Sequence, residues 1–279
     1  MATSYAKRIC AALCIVVLAG CSSQGDKGAT SHFAKRVRVA PGVRLWIECS
    51  GRGPVVLADG GLGIPTQAWA DVRNQVLHVR FCAFDRAGVG RSDVRLCRCG
   101  TLERNVEDIH ALVRAAGLRR PVILVGYSTG GLDSLLYARK YRSDVGGLVL
   151  VDSPSESAPA PSIALGDGRT RLDFGSGLSR LRRARGLGDL PILILSHGRR
   201  AFSTRAAELS WTEMQGELAE DSSNTLRVVA LDSRHLIQVD QPSLVAAALN
   251  EAAAFFPKKR RLRCLRTFAA RRGRCVSGS

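Results

Sequence analysis

One serine stands where covalent chemistry needs it, between a strand signal and a helix signal. It is Ser128, in the segment Gly126-Tyr127-Ser128-Thr129-Gly130. The apolar run Val122-Ile123-Leu124-Val125 precedes it, and a helical stretch from Leu132 to Tyr141 follows. A nucleophile at such a junction sits on a sharp turn that projects its side chain above the sheet. Small residues two before and two after permit that turn. The helix start also brings backbone N–H groups and the positive end of the dipole near the reacting oxygen. In a chain with 28 glycines the five-residue pattern arises readily by accident, so its flanks make it informative.

A serine hydroxyl needs a base. The five histidines are His32, His78, His110, His197 and His235. His32 falls in a tether-like segment, His78 precedes a strand and His110 lies within a helix. His197 and His235 both follow strands. His235 lies after the last strand and before the last helix, which gives the chain order serine, acid, histidine. It is the preferred base, with His197 as the alternative. The acid must orient the imidazole and stabilise its charged form. Asp152 directly follows the strand after the nucleophile helix, at the same sheet edge as Ser128. The loop after Leu195 reads Ser196-His197-Gly198-Arg199-Arg200 and holds no carboxylate. Asp152 is therefore the expected acid. Asp221 and Asp232 are weaker candidates, and Asp240 is better placed to start the last helix. Backbone N–H groups of Thr129 and Leu62 are expected to form an oxyanion hole. Leu62 belongs to Gly60-Gly61-Leu62-Gly63, where glycine lets the backbone approach a substrate closely.

These residues need elements to hold them, and the chain alternates strand and helix signals, as a parallel sheet covered by helices does. Val37-Arg38-Val39 and Leu45-Trp46-Ile47 flank Pro41-Gly42 and predict a hairpin. Val55 to Ala58 and Val79 to Phe84 predict strands, with a helix from Trp69 to Leu77 between them. Leu102, Val106, Ile109 and Val113 recur at helical spacing, and Gly117 stands where that helix should stop. Leu148 to Val151, Ile192 to Leu195 and Arg227 to Leu231 complete the strands. A polar helix is expected near Thr204 to Ala219, and Pro242 opens the last helix, to Phe256. From Ser153 to about Gly188 the rhythm breaks into a Pro-, Ser-, Gly- and Arg-rich stretch. An insertion of that length in a compact domain is usually functional, for example a lid.

Together these segments resemble the α/β-hydrolase fold family, from about Val37 to Phe256. The carrying stretches are Asp59-Gly60-Gly61-Leu62-Gly63, Phe84-Asp85-Arg86-Ala87-Gly88-Val89-Gly90-Arg91-Ser92, the Ser128 segment, Gly147 to Asp152, and His235-Leu236-Ile237-Gln238-Val239-Asp240-Gln241-Pro242. The resemblance implies an α/β fold with a mostly parallel eight-stranded sheet flanked by helices, and a short cap inserted after the sixth strand. Some members carry the acid after that strand, which matches Asp152. Gly60-Gly61 stands where His-Gly is common, and Tyr127 where a histidine is common. The family's strand order also places Cys49 beside Cys82, so a disulfide between them is expected. A pairing of Cys264 with Cys275 stays open.

The ends of the chain carry a different message. Lys7 and Arg8 precede the short apolar stretch Ile9 to Leu18, which ends in Leu18-Ala19-Gly20-Cys21. Small residues before a cut site mark a secretory signal. The cysteine after them resembles the lipobox of bacterial lipoproteins, where it receives a diacylglycerol. The expected organisation is a leader over 1–20, a tether over 21–34, the hydrolase domain over 35–257 with its cap at about 153–188, and a basic, disordered tail over 258–279. The protein is then exported and lipid-anchored through Cys21 to the outer face of a bacterial cell membrane, or periplasmic. Net charge is +17. An exported chain is not expected to meet nucleic acid, so the basic tail is either a solvated charge run or a surface for anionic headgroups. Of the nine cysteines, Cys97 and Cys99 are too close for an easy mutual bridge and lack the matching pair of a zinc site. No metal and no cofactor are expected. The leading expectation is a serine hydrolase acting on a small-molecule ester or related acyl compound. The alternatives are a non-catalytic binding lipoprotein on the same scaffold, or an acyltransferase or peptidase of the same fold. A dehalogenase would use a carboxylate nucleophile, which Ser128 argues against. Oligomeric state is not legible.

Overall fold

The computed structural model describes residues 32–95, 99–159, 162–164, 171–184, 186–258 and 260–276. The expected leader over 1–20, Cys21 and Cys97 lie outside them. Twelve strands are present among the described residues: β1 Phe33–Ala40, β2 Val43–Gly51, β3 Val55–Asp59, β4 Arg80–Phe84, β5 Cys99–Thr101, β6 Val122–Tyr127, β7 Val145–Val151, β8 Ser162–Ala164, β9 Arg171–Asp173, β10 Ile192–His197, β11 Thr225–Ala230 and β12 Gly273–Val276. The helices are α1 Ala70–Arg73, α2 Leu102–Ala115, α3 Thr129–Lys140, α4 Gly175–Arg183, α5 Arg205–Glu220, α6 Ile237–Asp240, α7 Pro242–Phe255 and α8 Arg266–Ala269.

The main sheet runs β1-β2-β4-β3-β6-β7-β10-β11-β12. From β4 to β11 every pair is parallel; β1–β2, β2–β4 and β11–β12 are antiparallel. The strands β3, β6 and β10 are almost entirely apolar because helices cover both faces. On one face Leu102, Val106, Ile109 and Val113 of α2 meet Leu132, Leu135 and Leu136 of α3 in one cluster. On the other face Leu244, Val245, Ala248, Leu249 and Ala252 of α7 pack with Trp69 and Val72 in a second. Each fully buried Leu or Val contributes about 1.5–3 kcal/mol relative to exposure. Thr101 caps α2 by accepting a hydrogen bond from the Arg104 amide at 3.2 Å.

The sheet has nine strands where eight were expected. The ninth, β12, comes from the tail, which also forms α8 and is closed by a Cys264–Cys275 disulfide. Residues 260–276 are therefore not a free charge run. Phe268 anchors them in the core at 1% exposure, and β12 pairs with β11. The Cys49–Cys82 disulfide joins directly paired positions of β2 and β4. The helix expected from Trp69 to Leu77 shrinks to a 3-10 turn over Thr66–Trp69 and α1. Between Trp69 and Leu77 only Trp69 and Val72 are buried and Leu77 is 63% exposed, so packing supports one turn and no more. The described residues of the inserted segment carry more structure than its composition suggests. Leu178 and Leu181 of α4 join the α2–α3 cluster, and β8 and β9 form a small sheet with β5. No helix of the described residues is long and apolar enough to cross a membrane.

Candidate active site

Ser128 sits between β6 and α3 with φ 50° and ψ −125°. That conformation is costly for a residue with a Cβ and marks a built turn. Gly126 makes it feasible: a Cβ there would lie 2.3 Å from the Gly130 carbonyl oxygen. The Ser128 amide donates to the Val151 carbonyl at 3.0 Å, which ties the turn to the end of β7.

His235 arrives on the loop between β11 and α6. Its Nε2 lies 3.2 Å from Ser128 Oγ, and its Nδ1 lies 2.6 Å from Asp152 Oδ2. The loop is held by Asp240, whose Oδ2 accepts from the Arg234 amide at 2.9 Å and from Ser233 Oγ at 3.2 Å. Asp240 thus fixes the loop before the last helix rather than starting that helix. Around the His235 ring stand Tyr127, Trp211 and Phe202, with ring centroids at 5.0, 5.2 and 5.7 Å. Phe202 and Trp211 of this aromatic wall come from the segment after β10 and Tyr127 from the end of β6, while α4 of the insertion packs against α2 and α3.

Asp152 follows β7 with φ 46° and is fully buried. Burial pushes its carboxyl up, but hydrogen bonds and charge from His197 and His235 win and hold it below the usual range. A second histidine, the alternative base of the sequence reading, holds a place that reading did not foresee. His197 does not take the place of His235 as the partner of Ser128. Its Nδ1 lies 2.9 and 2.8 Å from the two oxygens of Asp152, and its Nε2 lies 2.6 Å from Glu208 Oε1. Trp211 Nε1 donates to Asp152 Oδ1 at 3.2 Å. The signal was present as a histidine at a strand end. Nothing in the spacing placed Glu208 and Trp211, on successive turns of α5, against it.

The other candidates are occupied elsewhere. Asp221 pairs with Arg139, Asp232 with Arg272, and His110 with Tyr137 and Asp144. His78 holds a turn at φ 57° before β4.

The loop bearing Leu62 lies against the Ser128 turn. A Cβ on Gly61 would sit 2.5 Å from the Tyr127 carbonyl oxygen and 3.4 Å from Thr129 Oγ1. Two segments expected to supply oxyanion donors, at Leu62 and Thr129, are thereby side by side. Beneath them lies a cluster that sequence reasoning did not single out. Arg86 Nε and Nη2 donate to Asp59 Oδ1 and Oδ2 at 2.8 and 2.9 Å, and Nη2 pairs with Asp133 at 2.5 Å. Asp59 also accepts from the Gly61 amide at 2.9 Å. Arg86 therefore ties the Gly60–Leu62 loop to α3. Burial pushes the Asp133 carboxyl well above the usual range, against the pull of Arg86 and with the push of Asp59.

No group of residues suited to a metal ion occurs among the described residues. A cavity of about 580 Å³, lined by Pro121, Arg142, Val145, Pro191 and Asn224, opens at the N-terminal ends of the central strands. It lies at the opposite end of the sheet from Ser128.

Comparison with known proteins agrees with this architecture. A sequence model described as "alpha/beta hydrolase fold" matches residues 53–254. The uncharacterized protein YqjL of Bacillus subtilis (strain 168) is 26% identical over 213 residues, covering 71% of this chain and 82% of that protein. An esterase from Exiguobacterium antarcticum superposes with a TM-score of 0.63 at 16% identity, covering 80% of this chain and 100% of that one. A thermophilic esterase from Thermogutta terrifontis, solved with malate bound, gives a TM-score of 0.60 at 21% identity, covering 79% and 97%.

Proposed function

As the chain belongs to the α/β-hydrolase fold family, we propose that it is a serine hydrolase acting on an ester or related acyl compound. The observation that carries this reading is one line of hydrogen bonds, Ser128 Oγ to His235 Nε2 at 3.2 Å and His235 Nδ1 to Asp152 at 2.6 Å. Ser128 attacks the acyl carbon as its proton passes to His235 Nε2. The tetrahedral oxyanion is met by the N–H groups of Thr129 and Leu62. His235 then gives the proton to the leaving alcohol, which leaves an acyl-Ser128 ester. Water attacks that ester, His235 takes its proton, and the proton returns to Ser128 as the acid departs. Asp152 keeps the His235 tautomer and stabilises the imidazolium. The wall of Phe202, Trp211 and Tyr127 suits an apolar group next to the reacting carbon.

A fluorophosphonate probe tests the reading. Wild type is expected to label and Ser128→Ala is not. Folded wild type that stays unlabelled would favour a binding protein on this scaffold. A panel of esters varying acyl length and charge then places the substrate. The leader and Cys21 support a place on the outer face of the cell membrane, or in the periplasm; Cys21→Ser leaving the protein in the membrane fraction would count against anchoring through Cys21.

A further inference from the structure

We propose that His197, held as an imidazolium between Asp152 and Glu208, is a positioning residue of the site that fixes the Asp152 carboxylate and offsets part of its charge. This rests on the serine-hydrolase reading above. The first argument is about protons. Both His197 ring nitrogens lie within 2.9 Å of carboxylate oxygens, Nδ1 on Asp152 and Nε2 on Glu208. An ionised carboxylate only accepts hydrogen bonds. A neutral imidazole has one N–H, so it would leave one nitrogen lone pair facing an oxygen lone pair. The imidazolium satisfies both contacts.

The second argument is about mounting. The His197 side chain is only 5% exposed. Its own amide also donates to Asp152 Oδ1 at 3.2 Å. Glu208 is itself fixed, since Oε2 accepts from the Ala201 and Phe202 amides at 3.1 and 3.0 Å. A continuous path therefore runs from the loop after β10, through Glu208, His197, Asp152 and His235, to Ser128. The sharing of Asp152 between two imidazoles means its orientation toward His235 is set from the far side.

The third argument is electrostatic. The charged groups facing His197 are Asp152 at the end of β7 and Glu208 on α5, and Phe202 adds an edge contact at 5.7 Å. Arg199 and Arg200 share its loop, but Arg200 turns to the Phe202 and Ser203 carbonyls. Arg227 of β11 acts on Asp152 through space and donates to Ser196 Oγ at 3.0 Å. Asp240 and Tyr127 lie on the His235 side. Burial opposes a proton on His197, yet Asp152 and Glu208 together raise its affinity for one. A positive ring beside Asp152 weakens the carboxylate's pull on a proton at His235. Without that ring the Asp152 carboxylate would face His235 with its charge no longer offset.

Two measurements on the full mature chain test this. In ¹⁵N spectra of the wild type at pH 7.5, both His197 ring nitrogens are expected at imidazolium shifts. Assignment comes from His197→Gln or, should that variant not fold, from Glu208→Gln, which perturbs the same ring. A neutral-tautomer pattern overturns the proposal. Fluorophosphonate labelling followed from pH 4 to 9 reads the consequence. His197→Gln is expected to label roughly tenfold more slowly, a part of what general-base catalysis supplies. The acid limb of its labelling profile is expected to move to higher pH, since Asp152 then faces His235 with its charge no longer offset. A slower rate with an unmoved acid limb, or an unchanged rate and limb, would show His197 to be packing alone. Failure of the hydrolase reading shows instead in the wild type, as absence of labelling.

Discussion

Two buried clusters of charge flank Ser128, and they are balanced by different cations. Under the Gly60–Leu62 loop, Asp59 and Asp133 share the guanidinium of Arg86. On the other side, Asp152 and Glu208 share the imidazole of His197. A guanidinium never gives up its proton in water's range, and Asp59 and Asp133 reinforce that against the cost of burial. The Arg86 cluster therefore cannot be switched by an ordinary change of pH through its cation. An imidazole titrates near neutrality, so the Asp152 cluster can. In the proposed reaction the first is a clamp that holds backbone for an oxyanion, and the second sits where a proton moves. On that reading the choice of cation follows what each side of the site must do.

Removing charge from the titratable side should have the largest effect. Asp152→Asn is expected to lower turnover by about 10⁴-fold, measured as kcat on an ester substrate at a temperature where circular dichroism shows the variant folded. The environment adds to the loss. The carboxylate accepts from His197, His235 and Trp211 Nε1, and an amide would turn an N–H toward at least one of them. A loss of less than tenfold would reduce Asp152 to a structural role. On the clamp side, Arg86→Met is expected to cost about 3–5 kcal/mol of stability, because it strands two buried carboxyl groups. Urea unfolding measures it. The same variant should label more slowly with the probe, since the Gly61 amide and Arg86 hold Asp59 jointly. Unchanged labelling in a destabilised variant would separate the clamp from the oxyanion loop.

Much of this was legible in the residues. The apolar runs at Val122 and Leu148 read as buried strands because covered parallel strands need no polar face. Ser128 was legible through its flanks, and Asp152 and His235 through chain order. What was not legible depended on contacts between distant segments. Arg86 and Asp133 are 47 positions apart by their numbers, and no local period connects them. Glu208 and Trp211 lay in a helix that reads as polar surface, since more than half of its residues do face solvent. The tail read as a charge run because one buried phenylalanine, Phe268, and one disulfide were outweighed by its arginines. Trp69 to Leu77 failed differently. Its residues allow a helix, but only one turn finds apolar surface to cover.

The smallest effect expected is on stability at alkaline pH, and it separates the two clusters most directly. A histidine raised in the folded state, as His197 is by Asp152 and Glu208 against its burial, binds more protons folded than unfolded. Its contribution is complete below the unfolded value of about 6.5 and is lost as pH rises through the folded value. Asp152 is lowered in the folded state, despite burial, by the two imidazoles. Its contribution is present above the unfolded value of about 3.9 and is lost as pH falls. Stability should therefore plateau between these limits and decline on both sides. Melting temperatures measured across pH 5 to 9 should show the alkaline decline in wild type and in Arg86→Met, which keeps the His197 ring between its carboxylates. His197→Gln should start lower and decline less steeply, having no proton there to lose while the raised Asp133 carboxyl is common to it and the wild type. Parallel alkaline slopes in all three proteins would mean that the imidazole is no more responsive than the guanidinium, and the contrast between the two sides of Ser128 would fall.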